Sequence, residues 1–274
     1  MRCTTCALVC AALLFGGAGY SPAAELVEGA NKFNTLVYSA TGNLSNGAGE
    51  TFFVGRTNQG SPADLRRGLI QFDTSSIPAH SVITDVKLTL SFDRTSDTID
   101  RAVSLHRVLQ DWGQGTSNAG GTGNGGGGGA GAPATQNDAT WLYTFYNSAL
   151  PSASPTWNTP GGDFVSTASA STIIGEIQNS AIPYTWSGPG MIADVQSWVD
   201  NPGTNFGWLV LGDESTNGTA RRFDSSDNSI GGDRPVLVID YTTPVVPEPG
   251  SLTLLTTGAA GFVLFRRRRR SRGC

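Results

Sequence analysis

Chemistry by acid, base or nucleophile would have to be built here from few parts. The chain of 274 residues has two histidines, His80 and His106. His80 lies in the turn Pro78-Ala79-His80-Ser81, and His106 alternates outward from Leu105. A serine hydrolase needs a base within reach of a nucleophile held on a sharp turn. The nearest approach to that motif, Gly115-Thr116-Ser117-Asn118-Ala119, fails at its last position. Zinc sites want clustered His and Cys. The four cysteines are Cys3, Cys6, Cys10 and Cys274, all at the two ends of the chain, although Cys3-Thr4-Thr5-Cys6 spells C-x-x-C. Paired carboxylates could hydrolyse glycosides, but 22 acidic residues make some pair inevitable. The expectation is therefore a non-catalytic protein, with a polysaccharide lyase or glycoside hydrolase as the alternative.

Two other groups of side chains could hold a ligand. Asp213, Glu214, Asp224, Asp227 and Asp233 fall in Gly-, Asn- and Ser-rich stretches. Hard cations take carboxylate oxygens on such loops, which makes structural calcium the metal to consider, against solvated turn carboxylates. Trp141, Tyr143, Tyr146 and Trp157 form an aromatic group that could stack on sugar rings or form a second core layer. From residue 25 to 249 there are 11 Lys and Arg against 22 Asp and Glu, a net charge of −11. Such a surface repels phosphate backbones and argues against nucleic acid as a partner.

The third chemistry is that of a processing signal. Pro247-Glu248-Pro249 is held extended by its two prolines. Ser251 to Phe265 carries no charge, and Arg266, Arg267, Arg268, Arg269 and Arg270 follow without a break. Apolar span followed by arginine block is the order of a stop-transfer segment. The 16 residues from Gly250 to Phe265 give a helix of roughly 24 Å, short for a hydrocarbon core of about 30 Å. The segment therefore suits a transient hold better than a permanent anchor. At the other end, Met1-Arg2, the apolar run Cys6 to Ala18 and Ser21-Pro22-Ala23-Ala24 read as a secretory signal peptide.

The elements between these ends read as strands. Val86, Leu88, Leu90 and Phe92 alternate with Asp85, Lys87, Thr89 and Ser91, which buries one face and wets the other. Further strands are expected at 33–39, 51–55, 67–73, 102–109, 207–211, 220–224 and 235–241. Met191, Ile192, Val195, Trp198 and Val199 make an apolar stripe of helical period, stopped by Asn201-Pro202-Gly203. Trp198 belongs to that stripe and is expected in the core. Asn118 to Ala132 is a glycine-rich insert, and its G-x-G-x-x-G lacks the strand and helix of a dinucleotide site. Arg66 and Arg67 open one strand, and one of them is expected to pair with a carboxylate across the sheet.

Two resemblances follow from these residues. Pro247-Glu248-Pro249, the apolar span and the terminal arginines resemble the PEP-CTERM sorting signal. The resemblance implies an exosortase-type membrane protease as partner, transient insertion in the inner membrane, and delivery to the cell surface or extracellular matrix. Arg66 to Pro78 (RRGLIQFDTSSIP), Val103 to Val108, Trp112, Asn205 to Trp208, Arg222 to Ser226 and Arg234 to Leu237 resemble the DNRLRE domain family. That likeness implies a jelly-roll sandwich on a surface protein; some relatives bind acidic polysaccharide as non-catalytic modules. The expected architecture is mainly β, a single jelly-roll-like β-sandwich with one short helix. Around it stand a signal peptide (1–24, an N-terminal signal helix) and a sorting signal (246–274, a transmembrane-type helix). The body spans 25–245, interrupted by the insert at 118–132. The expected partner outside the cell is extracellular polysaccharide.

Overall fold

The computed structural model describes residues 23–60, 63–120, 129–175 and 178–244. The signal peptide, most of the glycine-rich insert and the sorting signal, with their two expected helices, lie outside the described residues. Within them the chain is mainly β. The strands in chain order are β1 (Ala24–Val37), β2 (Leu44–Ser45), β3 (Thr51–Arg56), β4 (Leu65–Phe72), β5 (Val82–Thr95) and β6 (Arg101–Arg107). Then come β7 (Ala132–Pro133), β8 (Ala170–Ile174), β9 (Gln178–Ser187), the helix α1 (Pro189–Asp200), β10 (Trp208–Leu211), β11 (Arg221–Asp224) and β12 (Val236–Thr242). Each strand expected from alternation has its counterpart. The first half of β1, the pair β8 and β9, and the short ladder of β2 with β7 were not anticipated.

The long strand β5 organises one sheet. It pairs with β9 along one edge and with both β12 and β11 along the other. From there β12 pairs with the first half of β1, and β11 with β3. A second sheet runs β8, β6, β10, β4 and the second half of β1. Strand β3 joins β4 through Gly55 opposite Arg66 and Arg56 opposite Leu65. So β1 and β3 each pass from one sheet to the other, and six strands (β1, β12, β5, β11, β3, β4) close a barrel-like ring. In β1 the passage occurs at a register shift between Ala30 and Lys32. A bulge of this kind bends a strand and lets it turn a corner between sheets.

The inner faces meet in an aromatic core. Phe52, Phe223 and Phe92 stand side by side on β3, β11 and β5, with ring centroids 5.5 and 5.6 Å apart. Helix α1 seals the core with Met191, Val195, Trp198 and Val199, as its stripe predicts. Trp198 is fully buried, 4.6 Å from Trp208 between ring centroids. Pro189 opens the helix where no backbone N–H is needed. A second apolar cluster (Leu36, Leu69, Trp112, Trp141, Trp157 and Leu209) covers the opposite face of the second sheet. It is why β1 changes from alternating exposure to five consecutive buried residues, Phe33 to Val37. Residues Ala23–Thr243 form one compact unit. Among the described residues no helix is long and apolar enough to cross a membrane.

Candidate functional site

His106 is not the exposed strand residue its alternation suggests. Its face of β6 lies under the loop 108–165, and it is 6% exposed, edge-on to Phe164 at 5.3 Å between ring centroids. Nδ1 lies 2.9 Å from the Val165 carbonyl, which can only accept, so the proton sits there. Nε2 is then free to accept from the Ser104 hydroxyl at 2.9 Å. This is the order of a nucleophile, a base and an orienting group, formed by two residues one repeat apart on a strand. The cavity described below has neither of them in its lining. The pair closes the hydrogen bonding of a covered sheet face. His80 stays on the surface in its turn, at φ 65°.

The aromatic group splits between core and surface, and mostly goes to the core. Trp157 and Trp141 are 3% and 5% exposed, and Tyr146 is 9% exposed. Trp157 donates Nε1–H to the Thr140 carbonyl at 2.9 Å. Trp141 is covered by Tyr38 and by the guanidinium of Arg67, the latter 4.9 Å above its ring. Neither tryptophan presents a face for a sugar ring. Tyr143 is half-buried and leans on Tyr146. The second core layer is the outcome because the whole segment folds back onto the outer face of β4 and β10.

Two of the five carboxylates considered for calcium, Asp213 and Glu214, are taken up by arginines. Asp213 accepts from Arg101 at 2.8 Å and from the Ser215 hydroxyl at 2.6 Å. The Ser215 hydrogen bonds, with Arg101 nearby, hold its carboxyl below the ordinary range. Glu214 takes a two-toothed bond from Arg67, at 2.7 and 2.8 Å. Arg67 is thus the strand-opening arginine that pairs across the sheet, while Arg66 does something else. It is fully buried and gives its protons to the carbonyls of Gly129, Ala63 and Leu65 and to Gln59. Burial pushes its pKa down to about 10.

Asp224 is 3% exposed and accepts from Asn228 at 2.8 Å. Burial, with the charges of Asp93, Asp233 and Glu50, pushes its carboxyl up to about 7. Asp227 is exposed, and its backbone N–H is held by Ser225. Among the described residues no three His, Cys, Asp or Glu side chains come together as metal ligands would.

Sequence reasoning missed a cavity of about 390 Å³ over the outer face of the first sheet. Its floor is a cross-strand row. Arg94 on β5 lies opposite Arg222 on β11, which lies opposite Phe53 on β3. Its rim includes Asn58, Gln59 and Ser96. The signal was the register of three strands distant in sequence, which no local pattern carries.

Among known families, the model of the PEP-CTERM protein-sorting motif matches residues 245–270. A search of the curated proteins finds no match to the chain. The matched span begins just before Pro247 and ends on Arg270, so it contains Pro247, Glu248, Pro249, Arg266, Arg267 and Arg268. The motif implies sorting by an exosortase, a membrane protein, and delivery to the cell surface or beyond it.

Proposed function

We propose that this is a secreted, non-catalytic protein of the cell surface or extracellular matrix, whose β-sandwich binds or scaffolds polysaccharide. The observation that carries the delivery part of the reading is the sorting motif at residues 245–270. Its three parts have separable physical tasks. Two prolines keep the backbone around Glu248 extended, where a protease can grip chain that is not helical. The apolar span Ser251 to Phe265 holds that point at the outer face of the inner membrane for as long as processing takes. The arginines stop the chain from sliding through.

The sandwich is read as a jelly-roll domain of DNRLRE type. Support comes from its two sheets and from the position of RRGLIQF on β4, which pairs with both strands that pass between the sheets. A non-catalytic role is supported by the burial of His106 and by the arginines bound to Asp213 and Glu214. Fractionation tests delivery: full-length protein found in the cytosol contradicts it. A polysaccharide panel, scored for both binding and turnover, tests the rest. Binding without turnover is expected. Turnover would establish the lyase or hydrolase alternative, and neither binding nor turnover would remove the polysaccharide from the account.

A further inference from the structure

The row Arg94–Arg222–Phe53 places two guanidinium groups directly opposite each other on neighbouring strands. Like charges so placed are destabilising unless something compensates them. The protein compensates one of them. At Asp93 the register of β5 slips, so that Arg222 faces Arg94 while its neighbour Phe223 faces Phe92. The slip is a bulge, and bulges re-aim side chains. Asp93 thereby reaches Arg222 and accepts from it twice, at 2.7 and 2.6 Å.

Arg94 receives no such partner among the described residues. It is exposed, and among the 11 Lys and Arg of the body it alone makes neither a hydrogen bond nor an ion pair within the described residues. Among the described residues no Asp or Glu lines the cavity it borders. In a body with twice as many acidic as basic residues, an acid-free cavity carrying a spare cation is a local reversal of the field. The remaining lining supplies amide and hydroxyl groups, from Asn58, Gln59 and Ser96, and Phe53, which is 9% exposed. The volume lies within the range of about 300–1,000 Å³ usual for small-ligand sites.

We infer that this row is a ligand site in which Arg94 receives the carboxylate of a sugar acid, with Phe53 beneath the ring and the amides and Ser96 meeting its hydroxyls. A guanidinium presents a planar fork that matches a carboxylate with two parallel bonds. The choice of a sugar rests on the polysaccharide reading above; the anionic character comes from the row itself.

The test uses the exported body after signal removal, titrated by calorimetry with trigalacturonate and, separately, with an uncharged galactose trimer. Arg94→Gln is the site variant. Arg234→Gln is the control, being an exposed arginine outside the cavity lining. Arg94 has no side-chain partner among the described residues, so its replacement is expected to leave the fold intact, which circular dichroism checks. The expected result is binding of the acidic trimer only, weakened about tenfold or more by Arg94→Gln, unchanged by Arg234→Gln, and falling as salt is added. Acidic-trimer binding unaffected by Arg94→Gln overturns the site while leaving polysaccharide binding in place. Binding of the uncharged trimer alone does the same. Failure to bind either trimer overturns the site, and the wider polysaccharide panel then decides whether the functional reading falls with it.

Discussion

Asp224 sits at the end of β11 with its carboxyl buried and three other carboxylates raising its pKa to about 7. An unfolded aspartate titrates near 3.9. Between those values the folded protein holds a proton that the unfolded chain has released. This group therefore favours folding most below pH about 4, and its contribution is lost as pH rises towards and through 7. Asp213 works in the opposite sense. Its lowered value stabilises the fold above the ordinary carboxylate range and is lost as pH falls below it. Denaturant midpoints from pH 4 to 8 should accordingly show a decline that Asp224→Asn flattens. An unchanged slope in that variant would show that Asp224 does not carry the proton. None of this was legible in the sequence, where Asp224 and Asp213 look alike. What separates them is the cover over one and the Ser215 hydrogen bonds, with Arg101 nearby, on the other.

The strands show where local pattern suffices. Alternation identified β5 and its neighbours because one face of each is buried by the common core. It failed for the first half of β1, which follows the signal peptide, and for β8 and β9, which lie in a stretch of weak pattern between residues 137 and 185. It also misled for His106, because Phe164 and Val165 cover that face of the second sheet. Register creates a further constraint that no single strand reveals. Gly68 on β4 has the ring of Phe52 over it, and a Cβ there would lie 2.7 Å from that ring. Gly29 on β1 has nothing within 4 Å of the same position. Gly68→Ala is expected to cost about 1–3 kcal/mol through overpacking. Gly29→Ala should leave stability within about 0.5 kcal/mol or raise it slightly, since alanine limits the unfolded chain. Urea unfolding of the two variants checks this; equal effects would deny the close approach of β3 to β4.

Across the whole molecule, delivery and folding are carried by different segments. The unit Ala23–Thr243 holds both apolar clusters. All four cysteines lie outside it. A chain of this length builds a sufficient core without cross-links. The thermal midpoint of the full-length protein should thus be the same with and without reductant. A shift would mean that a disulfide from the terminal segments contributes to the fold. Replacing Arg266 to Arg270 with glutamine should leave that midpoint unchanged while stranding or misrouting the precursor, if the arginines serve membrane passage as proposed. The sorting motif was readable from sequence because its information is composition in a fixed order. The ligand row was hidden because its information is three-dimensional.

The central claim is that the segment from Pro247 onward is a processing signal rather than a permanent part of the protein. Mass spectrometry of the protein recovered from the cell surface or medium tests it most directly. The account predicts a C-terminus at or near Pro247-Glu248-Pro249, with the apolar span and arginines gone. Surface material whose chain runs intact through Arg270 would contradict it.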